Sequence, residues 1–193
     1  MSQIVLASTS PYRRQLLARL RLPFDVQAPR VDEAARPGEP PRDTACRLAL
    51  AKAAAVAADR PEAIVIGSDQ VADVDGEALS KPGSHEAALA QLVRMQGRTV
   101  VFHTALAVIG PDGGHQVDDV PTAVRFRVLP PAQLDAYLRA ERPYDCAGAA
   151  KIESLGITLV ESVRSDDPTA LIGLPLIRLT SMLAACGVLL PSP

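Results

Sequence analysis

The sequence predicts an α/β fold built on a mixed β-sheet. Two observations carry that reading. Short apolar runs of strand character alternate with helical patterns along the chain, the arrangement that gives a sheet covered by helices. Two long β patterns, Thr99–Ile109 and Val120–Leu129, flank Pro111-Asp112-Gly113-Gly114. A turn of that kind joins antiparallel neighbours, so the sheet is mixed and not of the doubly wound parallel kind.

Each element follows from local chemistry. Gln3–Ala7 is a short apolar run, read as a buried strand. Ser8-Thr9-Ser10-Pro11 supplies a helix cap with proline at the first helical position, and Leu16, Leu17 and Leu20 follow at helical spacing. Phe24–Ala28 reads as a strand ended by Pro29. Val31–Arg42 holds three prolines and no periodicity, so it is a loop; an alanine-rich helix then runs from Asp43 or Thr44 to about Ala58. Ala63–Gly67 is a buried strand that continues through Val74, and Asp75-Gly76 is a hairpin turn. Ser84 caps a helix with Ala88, Leu89, Leu92 and Val93 on one face. Pro130-Pro131 opens a helix through Arg139. Tyr144–Ser154 is a small, polar loop, Gly156–Glu161 is a strand, and Thr169–Ala185 is an apolar helix interrupted by Gly173 and Pro175.

Composition narrows the function. The 193 residues carry 20 Lys and Arg against 22 Asp and Glu, a net charge of −2. Near-neutrality excludes a basic nucleic-acid coat, and 48% hydrophobic content excludes global disorder. No apolar run approaches the ~20 residues that a membrane span needs. Cys46, Cys146 and Cys186 are odd in number and widely spaced, which fits neither a disulfide framework nor a metal-ligand pair. The N-terminus has no basic segment of signal-peptide type. The expected compartment is the cytoplasm, and the length suggests one domain, or one domain with two lobes, over residues 1–193.

Familiar catalytic signatures are missing: there is no phosphate-binding P-loop, no dinucleotide fingerprint and no serine-hydrolase elbow. What remains is a set of polar residues after buried strands, where open α/β sheets hold ligands. Ser8–Arg14 is either a helix cap with solvated arginines or an anion site, with free N–H groups and the forked donors of Arg13 and Arg14. Asp69 is either a turn residue or a carboxylate that holds a metal or takes a proton from water. Lys52 falls on the apolar stripe of its helix, where it snorkels or points into a site. Lys81, and Lys151 with Glu153, are surface charges unless they converge with the others.

These segments match a family. Ser8-Thr-Ser-Pro-x-Arg-Arg14, Val31-Asp-Glu33, Lys52 in its alanine-rich helix, Gly67-Ser-Asp-Gln70 and Lys81-Pro82 resemble the Maf family of nucleoside triphosphate pyrophosphatases. The likeness runs from the first strand to Leu174-Pro-Leu-Ile177. The Ser-Asp-Gln form, Cys146-Ala-Gly148 and Gly156-Ile-Thr-Leu159 resemble the subfamily that hydrolyses 7-methyl-GTP rather than dTTP and UTP. The chain departs from that subfamily in carrying Tyr12 in place of Trp, and Ile152 and Ser154 in the late loop.

The resemblance implies an elongated mixed sheet with a deep cleft, related to the ITPase-like fold, and a homodimer. It implies hydrolysis of a nucleoside triphosphate to the monophosphate and pyrophosphate with a divalent cation, Mg²⁺ or Mn²⁺. Asp69 becomes the proton acceptor, with Lys52 and Lys81 as catalytic cations. Ser8, Arg13 and Arg14 become phosphate ligands, and Glu33 joins Asp69 on the metal side. Tyr12, Gln70 and Glu153 become substrate-selecting residues. The other readings are a dTTP/UTP-type pyrophosphatase of the same family and, from the family's older association with septum formation, a non-catalytic nucleotide-binding regulator.

Overall fold

The computed structural model describes residues 3–191. Its centre is a seven-stranded mixed sheet in the order β2-β1-β3-β5-β6-β7, with β4 paired to β3. The strands are β1 (Ile4–Ala7), β2 (Asp25–Gln27), β3 (Ile64–Val74), β4 (Glu77–Leu79), β5 (Thr99–Ile109), β6 (His115–Phe126) and β7 (Val160–Arg164). β1 runs parallel to both β2 and β3, and every other pairing is antiparallel. Five helices flank the sheet: α1 (Pro11–Ala18), α2 (Pro41–Ala57), α3 (His85–Met95), α4 (Pro131–Glu141) and α5 (Leu176–Ala185). No helix among the described residues is long and apolar enough to cross a membrane.

Pairing along β3 is unequal on its two edges. One edge meets β5 without interruption from Val65 to Asp73. The other meets β1 from Ile64 to Gly67 and β4 from Ala72 to Val74. Between those partners, Ser68 to Val71 have no strand beside them. A strand that loses its neighbour midway leaves an opening in the sheet, and this one lies just beyond the carboxyl end of β1, where the direction of pairing changes.

Helix α2 covers one face of that region. Its small residues Ala45, Ala49 and Ala53 pack with Val65, Val71, Ala105 and Ala107 of β3 and β5. Gly67 makes the approach close: a Cβ there would lie 2.3 Å from the carbonyl oxygen of Ala49 and 2.8 Å from the amide nitrogen of Ala53. On the other face Ile64, Ile66, Leu106 and Val108 pack with Leu16 and Leu17 of α1 and Leu179, Met182 and Leu183 of α5. Further along the sheet, Phe102 and Phe126 pack with Leu92 and Met95 of α3 and Leu138 of α4.

Among the boundaries that differ from the sequence reading, three have a clear cause. The second arm of the long hairpin begins at His115, not Val120. Its polar start finds partners, because Gln116 donates to the Met182 carbonyl at 3.1 Å and Asp119 bonds His103 at 2.7 Å. Leu155–Leu159 is a short 3₁₀ turn and the strand starts only at Val160. The turn closes on Lys151, whose carbonyl accepts from the Gly156 N–H at 2.9 Å. Helix α2 starts at Pro41, earlier than Asp43, since proline at the first helical position gives up only an N–H that has no helical partner anyway.

A polar cluster lies on the α2 side of the sheet. His103 Nδ1 is 2.7 Å from Asp119, and its Nε2 is 3.5 Å from Asp73; Arg42 of α2 reaches Asp119 at 3.7 Å. The hydrogen bond to Asp119 raises the His103 pKa above its ordinary 6.5, against burial and with help from the charges of Asp119 and Asp73. A raised folded-state pKa gives stability that is complete below the unfolded value and fades as pH climbs through the folded one. Denaturant midpoints measured from pH 6 to pH 9 should therefore fall for the wild type. His103→Gln should remove that slope, and an unchanged slope would show that His103 does not cause it.

Candidate active site

A cleft of about 650 Å³ opens at the unpaired stretch of β3. Its walls come from the loop after β1, the loop before α2, helix α2, the segment after β4, the Asp145–Glu153 loop and the turn at Leu171–Gly173. Of the ten residues to which the resemblance gives a role, nine line it: Ser8, Tyr12, Arg13, Glu33, Lys52, Asp69, Gln70, Lys81 and Glu153. Arg14 does not. It lines a neighbouring depression bounded by Ala18, Leu22 and Phe24, one helix position round from Arg13.

Lys52 is the centre of charge. Its Nζ lies 2.6 Å from Asp69 Oδ1 and 2.8 Å from Glu33 Oε1. Lys52 and Asp69 are both buried, at 6% and 8% exposure, whereas the Glu33 side chain is half exposed. A buried ammonium between two carboxylates meets its desolvation cost only through such close pairing. For Glu33, burial acts upward on the pKa, but the hydrogen bond from Lys52 and the charges of Lys52, Lys81 and Arg13 outweigh it and leave the group below its usual value.

The loop that delivers Glu33 is tied down by Arg47, which the sequence reading missed. Arg47 of α2 grips Glu39 with both Nε and Nη2, at 2.7 and 2.6 Å, and donates to the Ala34 carbonyl at 3.2 Å. Thr44 adds a bond to Glu39 at 2.9 Å. Forked guanidinium–carboxylate pairing of this kind fixes geometry as well as charge. So one helix holds the loop at Arg47 and meets its carboxylate at Lys52.

Arg13 is aimed by a turn that the sequence reading took as an interruption in a helix. Its Nε donates to the Gly173 carbonyl at 2.8 Å, and Ser68 Oγ donates to the same oxygen at 2.9 Å. Gly173 has φ of 121°, a conformation that L side chains rarely adopt. The turn is pinned from below by buried Asp167, which accepts from the Thr169 amide and hydroxyl and from the Ile177 amide at 2.7–2.9 Å. Burial lowers the Arg13 pKa against the pull of Asp69 and Glu33, yet a guanidinium remains charged in proteins. Ser8 is buried and caps the following turn, its Oγ accepting from the Ser10 amide at 3.1 Å.

Gln70, which the resemblance makes a substrate-selecting residue, also braces the fold. Its amide nitrogen donates to Thr104 Oγ1, to the Leu171 carbonyl and to the Ala170 carbonyl at 2.9–3.2 Å. Those bonds clamp the Gly173 turn to the sheet and leave only the amide oxygen for a ligand. Cys146 also lines the cleft, but burial pushes its thiol up to about 12. It stays protonated and is no nucleophile at neutral pH.

Asp69 and Glu33 each present a second carboxylate oxygen beyond Lys52. Hard oxygen donors in that number suit Mg²⁺ or Mn²⁺, which take one or two carboxylates and complete their shells with phosphate oxygens and water. No group of three or more His, Cys, Asp or Glu among the described residues is arranged to hold a metal unaided. The donor set therefore fits a cation that arrives with an anionic ligand.

Fold and cleft define a class: a mixed-sheet α/β protein with a charged cleft where its parallel pairing ends. Residues 3–186 match the model of the Maf-like protein family, and the chain belongs to that family. It is 58% identical to the 7-methyl-GTP pyrophosphatase of Albidiferax ferrireducens over 96% of this chain and 94% of that one. It is 60% identical to the protein of the same name from Bordetella pertussis, over 96% and 93%. Among solved structures, the Staphylococcus aureus Ham1 protein aligns with 20% identity and a TM-score of 0.48, over 65% of this chain and 72% of that one.

The close fit of α2 on β3 is testable. Gly67→Ala should cost at least about 1–3 kcal/mol of stability, because the new methyl meets backbone rather than a side chain that can move. It should also displace Lys52 from Asp69. A denaturation midpoint equal to that of the wild type would show that α2 does not depend on that contact.

Proposed function

We propose that the chain hydrolyses 7-methyl-GTP to the nucleoside monophosphate and pyrophosphate. The single observation that carries the reading is the Lys52 ammonium joined to Asp69 and Glu33 at the unpaired stretch of β3. It places a carboxylate, a buried cation and a second carboxylate in one cleft with Arg13, Lys81 and Ser8. Relatives about 60% identical over nearly the whole chain carry the 7-methyl-GTP pyrophosphatase name.

The chemistry follows from the parts. Asp69 takes a proton from water as the water oxygen bonds to the α-phosphorus, and the bond from that phosphorus to the bridging oxygen breaks. Negative charge builds on the departing pyrophosphate. Arg13 and the Ser8 turn present fixed donors to it, so little reorganisation is needed there when the charge appears, and exposed Lys81 adds a further cation. Lys52 holds Asp69 in place and offsets the repulsion between the two carboxylates. Asp69 and Glu33 would hold a divalent cation, which would add neutralisation of the phosphate charge.

The base end is formed by Tyr12 and Glu153. A carboxylate accepts from the N1–H and amino group of guanine, which uracil and thymine lack. N7-methylation makes the base a cation, which the ring face of Tyr12 attracts by ~0.5–2 kcal/mol depending on desolvation.

The test is pyrophosphate release from 7-methyl-GTP, GTP, dTTP and UTP with Mg²⁺ or Mn²⁺. The wild type should prefer 7-methyl-GTP, and Asp69→Asn should lose about 10²–10⁴-fold in kcat. Turnover equal to that of Asp69→Asn would end the catalytic reading. Glu153→Ala should reduce the preference for guanine over uracil nucleotides by about tenfold or more. Equal losses on every nucleotide would assign Glu153 to the chemistry instead.

A further inference from the structure

Lys151 is absent from the cleft lining, yet it touches the one aromatic residue that lines it. Its Nζ sits over the Tyr12 ring, 5.6 Å from the centroid. The side chain is only 17% exposed, and Glu141 of α4 stands 3.9 Å from the ammonium. The main chain of Lys151 is held from both ends. Its N–H donates to Tyr137 Oη at 3.0 Å, and its carbonyl accepts from the amides of Gly156 and Ser154 at 2.9 and 3.2 Å. Tyr137 is itself buried and donates to the Ala149 carbonyl at 3.1 Å. The interaction with Tyr12 raises the Lys151 pKa against the effect of burial, so the ammonium is charged at neutral pH.

The base end of the cleft therefore has a ring and a carboxylate in its wall, with a fixed cation against the ring. Glu153 favours a positively charged base. Lys151 acts in the opposite sense, because a ring that already carries a cation attracts a second one less, and the two like charges repel.

We propose that Lys151 is a specificity-determining residue: its ammonium, held against Tyr12, limits how strongly the site prefers a cationic base over a neutral one. The proposal rests on the nucleotide reading above and deepens it. Tyr12 and Glu153 supply the preference, and Lys151 sets its ceiling.

Lys151→Met keeps the length and apolar stem of the side chain and removes the charge. The ratio of kcat/KM for 7-methyl-GTP to that for GTP should rise about three- to tenfold, through KM rather than kcat. Lys151→Arg keeps the cation and the ring contact and should stay within about twofold of the wild-type ratio. The same comparison is read without turnover as the ratio of Kd for 7-methyl-GMP and GMP, from NMR titration. An enzyme that hydrolyses both nucleotides with an unchanged ratio in Lys151→Met overturns the role of Lys151 and leaves the activity standing. An inactive protein whose Kd ratio shifts as expected supports Lys151 and overturns the catalytic reading. The contact has its own signature: the Lys151 ε-methylene should show an upfield ring-current shift that Tyr12→Leu abolishes, and its absence in the wild type would overturn the proposal at its root.

Discussion

The site depends on a break in strand pairing. β3 is gripped along one edge by β5 over its whole middle, while its other edge is bare between Gly67 and Ala72. Because β1 stops at Ala7, the chain turns away at Ser8 and leaves Asp69 facing an opening instead of a neighbour. A longer β1 would close the sheet there and fill the cleft with backbone. The polar residues Ser68, Asp69 and Gln70 occupy the gap, in a strand whose flanking residues Ile66 and Val71 are buried.

Everything else in the site converges on that gap from a different element. Gly67 lets α2 lie close enough for Lys52 to reach Asp69. Arg47, on the same helix, ties down the loop that carries Glu33. Ser68 and Gln70 hold the Gly173 turn from the floor, and that turn in turn orients Arg13. The gap thus supplies both the Asp69 carboxylate and the anchors for the groups around it. Such cross-bracing is how a cleft built from loops keeps cations in place before a ligand arrives.

Much of this was legible in the sequence, and the exceptions have physical causes. Strand patterns of buried Val and Ile, proline at helix starts and Asp-Gly turns are local signals, so most elements appear where the sequence puts them. Lys52 was visible as a lysine on an apolar stripe, but its partners Glu33 and Asp69 lie 19 and 17 residues away in other elements; no spacing rule reports that. For Gln70 the resemblance implied a role toward the base, and nothing local in the sequence pointed to its part in bracing the fold. Its bonds to Ala170 and Leu171 span about a hundred residues of chain and appear only on folding. Lys151 read as a surface charge for the same reason: its ring partner is near the other end of the sequence. The turn at Leu155–Leu159 carries β-favouring residues that the bond from Gly156 to Lys151 overrides.

In the reaction proposed above, Asp69 takes a proton from a water beside the α-phosphate, and Arg13 and Lys81 face the departing pyrophosphate. Hydrolysis of 7-methyl-GTP in ¹⁸O-labelled water tests it most directly. The label should enter the nucleoside monophosphate, with none in the pyrophosphate. Label in the pyrophosphate would mean attack at the β-phosphorus and would contradict the assignment of these residues.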